Sequence, residues 1–568
     1  MIEQEQVRSS IKTWDMQLRY PRSQNYLPPC RLTCPNNTDI RGWLGLIAQH
    51  KKLNYSFEEA MTQAWNRLVH FNPLPATTGR ICPHPCEDQC NRALKDDSVS
   101  IHALERSIGD WALTKKLPLP ILEHTKQSES IGVIGSGPAS VSFAYQMARR
   151  GYSVTVYEQH PAPGGMLRYG IPRYRLPESI IDQEIQRIEA LGVKFQYNTT
   201  IGKYITVFTL RKKHQALFIG IGAHRAIKLN IPGESGSNVM AGAELMYQIN
   251  YETDVNIGKQ VVIIGGGNTA IDAARTVRRL GKIATILYRR TEQEMPAHQE
   301  EIADAKAEGV RFKFLLEPIA IIRDEEKQVK AVQVRRMCHT NASDADGRLS
   351  VIPTAESPFL VKADTVVAAI SQQPDWSPFE GVVAHNGHPN PTQLGQLAPE
   401  IWSGGDALHL GTVTHAIRDG RQAAEDMHTQ LRRLIDNKSA NIFDIKSINK
   451  SVNKLADESN IKSPNIKLDY YTAQNRQKEP KYSTSDCLAS PQQEVRMGLS
   501  EEQFLQEISR CLSCGACYGC EQCWMYCNGQ GYQPVDKPTP GNYFTLQLDN
   551  CVGCGKCVEL CPTGHLSF

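Results

Sequence analysis

The stretch IGVIGSGPAS, residues 131–140, is a short apolar run that ends in closely spaced glycines. Read locally, it is a strand that stops in a tight turn and restarts as a helix. Gly135, Gly137 and Ser140 occupy the three positions of G-x-G-x-x-G, with Pro138 and Ala139 in the same turn. The first glycine permits the turn, and the second lets the backbone approach a pyrophosphate resting on the helix N-terminus. Ser140 replaces the third glycine and is small enough to keep helix and strand close. The next strand, YSVTVYEQH, brings Glu158 to where a carboxylate binds ribose hydroxyls. A lone glycine motif is weak; strand, turn, helix and acid together specify a dinucleotide-binding unit.

A second copy follows in QVVIIGGGNTAIDAARTVRRLG, with Gly265, Gly267 and Ala270 in the pattern and Asn268 and Thr269 in its turn. Its next strand ends in Arg289 and Arg290 rather than an acid. A guanidinium fork suits a 2′-phosphate, which favours NADP(H) over NAD(H). The alternative is that both arginines are solvated charges, since Glu292 and Glu294 lie close by. Two dinucleotide folds in one chain point to a flavin and a nicotinamide. IWSGGDALHLGTVTHAIRDGRQAA agrees: a strand delivers Gly405 and Asp406 to a helix start, where Asp406 can bind a ribityl chain. The expected layout is an FAD domain over 123–245 and 376–432, with an NAD(P)H domain over 246–375 inserted in it.

Outward from this centre, residues 1–122 read as helical, as in YSFEEAMTQAWNRLVHF. The Asn-, Lys- and Ser-rich stretch within 433–505 reads as a linker. Residues 506–568 form a cysteine-dense tail, introduced by LSEEQFLQEISR with a Ser500-x-x-Gln503 capping box. The fold class is therefore multi-domain α/β, with a helical N-terminal domain, two Rossmann-like domains and a ferredoxin-like α+β tail. A chain of 568 residues accommodates three or four domains. Its net charge of +3 argues for neither nucleic acid nor membrane partners. The polar start MIEQEQVRSS lacks a signal-peptide layout, and no apolar run approaches the about 20 residues of a membrane span. A cytoplasmic location is expected.

The 17 cysteines are clustered, which in a chain with no export signal argues for metal ligation over disulfides. Cys551, Cys554, Cys557 and Cys561 stand in C-x₂-C-x₂-C-x₃-C-P, and Cys517, Cys520, Cys523 and Cys527 repeat the spacing. In two-cluster ferredoxins the fourth cysteine of each run serves the other cluster. One [4Fe–4S] is thus expected on Cys517, Cys520, Cys523 and Cys561, and a second on Cys551, Cys554, Cys557 and Cys527. A zinc ribbon is the alternative, but x₂ spacing of three thiolates fits cubane corners better. Asn528, rather than proline, follows Cys527.

VIGSGPAS, YEQHPAPGGMLRYGIPRYRLP, FIGIGAHRAIKLNIPGE, VVIIGGGNTAIDAARTVRRLG, YRRTEQEMPA and the Gly405–Asp406 segment resemble the glutamate synthase small-subunit family over roughly residues 20–430. The resemblance implies an N-terminal iron–sulfur domain, one FAD, one NAD(P)H site and electron transfer to a partner. It adds Gly164, Gly165, Met166, Leu167 and Gly222 to the cofactor-binding set. Thioredoxin-reductase-like enzymes share the layout but need a C-x-x-C dithiol; between 246 and 375 there is only Cys338. Cys338 and Cys487 read as packed or exposed thiols.

The resemblance also frames the N-terminal cysteines, Cys30, Cys34, Cys82, Cys86 and Cys90. By likeness one cluster uses Cys34, Cys82, Cys86 and Glu105; Glu105 read alone is equally an ordinary helix-surface acid. Cys30 and Cys90 are then two ligands short, because the family's R-C-x₂-C-G pair is missing from this end. That wording stands instead at Cys511 and Cys514. Either the tail folds back so that this pair joins Cys30 and Cys90, giving four clusters, or the two are spare thiols, giving three.

The function expected is an NAD(P)H:acceptor oxidoreductase that splits electron pairs through FAD and [4Fe–4S] clusters, with the direction set by cluster potentials. No catalytic acid or base is nominated. The partner is a redox protein or complex: a ferredoxin-like acceptor or, since the fused tail is similar to flavoproteins encoded with it, dissimilatory sulfite reductase. The alternative is the electron-input subunit of a glutamate-synthase-like complex. A homodimer stays open.

Overall fold

The structure, a computed structural model, describes residues 20–24, 26–203, 205–251, 255–343, 347–379, 381–382, 389–436 and 465–568. Two sheets form its centre, parallel but for one antiparallel edge strand, Gln396–Ala398. The first has six strands in the order Gln396–Ala398, Ile401–Ser403, Ala216–Ile219, Ser130–Ile134, Ser153–Tyr157 and Lys194–Gln196. The second has five, Arg311–Phe314, Ile283–Tyr288, Gln260–Ile264, Thr365–Ala368 and Val239–Ala241. Their inner strands are continuous apolar runs because both faces are covered, in the second sheet by helices on one side and by an antiparallel sheet on the other. Ile131, Val133, Val261 and Ile263 are all almost completely buried.

The chain leaves the first sheet after Ile219 and rejoins it at Gln396. The outgoing segment Arg225–Ala226 and the returning segment Gln372–Gln373 pair antiparallel, so the two crossings brace each other. A four-stranded antiparallel sheet, Leu316–Arg323, Val329–Ser343, Leu349–Pro353 and Phe359–Lys362, is attached to the second unit.

The N-terminal domain is a set of short helices. Phe57–Val69 carries a Ser56–Glu59 capping box and buries Met61, Trp65 and Leu68. Pro75–Ile81 and Ile101–Thr114 cross at van der Waals contact through two glycines. A Cβ on Gly79 would lie 2.5 Å from Arg106 Cα, and one on Gly109 would lie 2.6 Å from Ala76 Cα. This crossing sets Cys82, at the end of one helix, near Glu105 on the other. The domain shares one core with the first sheet unit. Glu184 of that unit is buried and accepts from the backbone amides of Ala76 (2.8 Å) and Thr77 (3.1 Å).

The linker expected over 433–505 is corrected by the structure at both ends. Helix Val413–Asp436 extends into it, and residues 465–505 are a packed strap; residues 437–464 lie outside the described residues. Glu479 pairs with Arg106 (2.9 Å) and Arg476 with Glu87 in the N-terminal domain, while Lys481 pairs with Asp304 (2.9 Å) beside the second sheet. Polar residues that read as solvated are held because each meets an opposite charge from a distant segment.

The Ser500–Gln503 capping box is formed at helix Glu501–Ser509. Arg510, which follows, is fully buried against Glu507 (2.6 Å) and Asp96 (2.9 Å). The tail beyond it has one hairpin, Tyr532–Thr539 with Asn542–Leu546, and two short helices. Its final strand, Leu566–Ser567, pairs antiparallel with Arg22–Ser23, so the two ends of the fold share one small ribbon. Among the described residues no helix is long and apolar enough to cross a membrane.

Candidate functional site

Both glycine turns open onto one cavity of about 1200 Å³. A single small ligand fills about 300–1,000 Å³, so the space exceeds one such ligand. Gly135 (φ +86°) and Gly265 (φ +147°) make the turns. A Cβ built on Gly137 or on Gly267 would meet no atom within 4 Å, so both cradles face open space, as a pyrophosphate requires. Gly135, Gly137, Pro138, Ala139, Glu158, Gly165, Met166, Leu167, Gly222, Gly405 and Asp406 line one part of the cavity. Gly265, Gly267, Thr269, Arg289 and Arg290 line the other.

Four of the expected cofactor residues do not line it. Ser140 and Ala270 are buried between helix and strand, Gly164 sits behind its turn, and Asn268 accepts from the His298 amide at 3.1 Å. Their work is packing and turn geometry. Ser140 Oγ reaches the Gly220 carbonyl at 3.5 Å, where a third glycine would leave a gap.

Glu158 is held by donors that sequence reading missed. Its Oε2 accepts from the Ser136 amide (2.9 Å) and hydroxyl (2.5 Å), and its Oε1 from the His160 amide (2.8 Å). Asp406 accepts from the Gly411 amide at 3.0 Å, and burial raises its carboxyl pKa. Helix Val413–Asp436 begins at the cavity wall with Gly411, Thr412 and Val413, directing its amide end inward. The two arginines divide. Arg289 is exposed at the cavity, whereas Arg290 is buried and donates to the Leu349 carbonyl at 3.1 Å. Arg348, just before strand Leu349–Pro353 of the attached sheet, joins them at the lining. No local pattern announces it, since only tertiary folding brings it there.

The structure gathers the clustered cysteines into four groups. Cys34, Cys82 and Cys86 lie close enough for each to feel its neighbours, and the first two feel Glu105. Burial pushes the Cys82 thiol up to about 12 and the Glu105 carboxyl up to about 7. Asn72 and Thr78 both donate to Glu105 Oε1 at 2.8 Å, which fixes the carboxyl in place. In the tail, Cys523 lies beside Cys517, Cys520 and Cys561. Cys557 lies beside Cys551 and Cys554. The Gly531 amide donates to Cys527 Sγ (3.2 Å) while Gly531 abuts Cys551. The remaining group is Cys30, Cys90, Cys511 and Cys514, which line one small cavity. Each group brings three or four sulfur ligands, in one case joined by a carboxylate, to one place, which is the donor set that a metal cluster takes. Cys338 and Cys487 stay apart from all four; the first sits on a strand, and the second is buried with Tyr174 and Val495.

Comparison with known proteins agrees with this layout. Residues 129–420 match the pyridine nucleotide-disulphide oxidoreductase family. Residues 23–117 match the dihydropyrimidine dehydrogenase domain II 4Fe-4S family, and residues 516–566 a 4Fe-4S dicluster domain. The chain is 31% identical to the NADPH-Fe(3+) oxidoreductase subunit beta of Geobacter sulfurreducens over 524 residues, 86% of this chain and 75% of that one. It is 34% identical to the NADP(+)-dependent formate dehydrogenase subunit beta of Moorella thermoacetica, over 71% of this chain and 60% of that one. It is 32% identical to the glutamate synthase (NADPH) small chain of Azospirillum brasilense, over 72% of this chain and 87% of that one.

Proposed function

The chain belongs to the pyridine nucleotide-disulphide oxidoreductase family, in the branch that holds glutamate synthase small chains, and on that premise we propose that it passes electrons from NADPH to a separate redox protein. The observation that carries this reading is the pair of glycine cradles, Gly137 and Gly267, facing one cavity. FAD held there would supply hydride acceptance from NADPH and single-electron release, and [4Fe–4S] clusters would supply one-electron carriers.

The chain's own residues bind and orient. The Gly135–Ser140 turn and Glu158 hold the FAD pyrophosphate and ribose, and Asp406 with the helix start at Val413 holds the flavin side. The Gly265–Ala270 turn holds the NADPH pyrophosphate. Arg289 takes the 2′-phosphate, and Arg290, bonded into the strand beyond, supports it. The names of the three relatives favour NADPH over NADH. Cys34, Cys82, Cys86 and Glu105 hold the cluster nearest the FAD unit, since the Cys82 thiol lies within hydrogen-bond reach of Thr414 in the helix that begins at the cavity wall. The tail holds two more, and exposed Cys554 marks the cluster that meets the acceptor.

All three relatives are named as one subunit of a larger enzyme, which supports a protein acceptor. Anaerobic mixing with NADPH should bleach the flavin and then the cluster absorbance, with NADH far slower. No bleaching by either would overturn the reading. Recovery of the native acceptor by co-purification separates a sulfite reductase from a glutamate-forming large subunit.

A further inference from the structure

We propose that Cys30, Cys90, Cys511 and Cys514 hold one [4Fe–4S] cluster, built half from each end of the chain. The inference deepens the electron-transfer reading above and names a metal site that no family match assigns. Cys511 and Cys514 fall after residue 117 and before residue 516, outside both iron–sulfur matches.

The four thiols line a single cavity walled by Pro28, Leu44, Val99, Ile101 and Leu512. Its volume of about 30 Å³ is two to three times the about 10–15 Å³ that one water needs. Four thiolates at one centre suit a cubane or a zinc ion, and the thiol groups on either side, spaced as cubane ligands, favour the cubane. Cys30 lies within electrostatic reach of each of the other three. Arg41 stands beside the group, donating from Nη1 to the Tyr26 carbonyl (2.8 Å) and the Cys514 carbonyl (2.5 Å). Its cation offsets the net negative charge of a four-thiolate cluster.

The position makes the cluster a relay. Cys30 also neighbours Cys86 of the N-terminal group. On the other side Tyr471 donates to the Leu512 carbonyl at 2.9 Å and lies within reach of Cys511, Cys514, Cys520 and Cys561 at once. It thus sits between this group and the first cluster of the tail. A cluster held here would stand between the N-terminal group and the tail and would relay electrons singly between them.

The test is metal analysis of the anaerobically purified full chain, with electron paramagnetic resonance of the reduced protein. Four clusters give about sixteen irons per chain and no zinc. The Cys511→Ser/Cys514→Ser variant should lose about a quarter of the iron and one cluster signal, while NADPH still bleaches the flavin. Cys487→Ser should keep all the iron. A double variant that retains its iron, or an unsubstituted chain with about twelve irons or with zinc, overturns the proposal. The unsubstituted count needs no variant to fold. Failure of flavin bleaching in the unsubstituted chain would instead sink the NADPH reading and leave the cluster count standing.

Discussion

Arg41 donates from Nη1 to the backbone carbonyl of Cys514, 473 residues further along the chain, at 2.5 Å. The contact is one of several by which the N-terminal helices grip the tail. Lys52 reaches the carbonyls of Tyr518 (3.1 Å) and Gly519 (2.9 Å), and Gln49 reaches the Ser513 hydroxyl at 3.3 Å. Replacing Arg41 by Gln should remove a charge-assisted bond worth about 1.5–3 kcal/mol and a cation beside the four thiols. The midpoint potential of one cluster should fall, by tens of millivolts in order of magnitude, since less positive charge favours the oxidised state. Redox titration followed by electron paramagnetic resonance reads this; unchanged potentials for every cluster would refute it.

Glu105 gives a second test. Glu105→Ala should cost one cluster, about four irons. Glu105→Cys should retain the iron with an altered spectrum, because a thiolate replaces a carboxylate. Iron retention by the alanine variant would return Glu105 to a structural role.

The two cradles can be separated. Gly137→Val and Gly267→Val each add atoms where the structure has open space, so folding should be preserved. The first should purify without flavin. The second should keep its flavin yet fail to be reduced by NADPH, while dithionite still reduces it. Absorbance spectra of the two proteins check this directly.

Arg289→Ala should raise the KM for NADPH about 10–100-fold, the cost of about 1.5–3 kcal/mol for a lost charged hydrogen bond, and leave that for NADH nearly unchanged. Equal effects on both would mean that Arg289 does not touch the 2′-phosphate.

Glu184 supplies a pH prediction. Burial raises its carboxyl pKa from 4.5 to about 7, despite the Thr77 and Ala76 donors. The folded state therefore binds this proton more tightly than the unfolded one. Its contribution is fully present below 4.5 and is lost as pH rises through about 7, a change of about 3 kcal/mol. Glu184→Gln keeps an acceptor without a charge, so melting temperature should fall less between pH 5 and 8 than in the unsubstituted chain. Parallel pH profiles for the two would exclude the assignment.

The parts of the fold that local chemistry dictates were legible in the sequence. A turn such as Gly135–Ser140 needs its glycines whatever surrounds it, and C-x₂-C-x₂-C fixes its own geometry. Arg476, Glu479 and Lys481 were not legible, because a polar strap is ordered only by charges that lie far away in sequence. The same holds for Arg348 and for Ser136, whose roles exist only once distant segments meet. The division between exposed Arg289 and buried Arg290 turns on the Leu349 carbonyl, which no residue pattern near the pair reveals.

The ribbon that joins Arg22–Ser23 to Leu566–Ser567 pairs a segment made first with one made last, and the proposed site of Cys30, Cys90, Cys511 and Cys514 would likewise join early and late parts of the chain. Chains emerge from the ribosome at about 5–20 residues per second, and about 480 residues separate Cys30 from Cys511. Cys30 and Cys90 therefore wait about half a minute to a minute and a half for their counterparts. On the proposed ligand sets, the site of Cys34, Cys82, Cys86 and Glu105 has its ligands first, the shared site only when Cys514 emerges, and the two tail sites last, at Cys561.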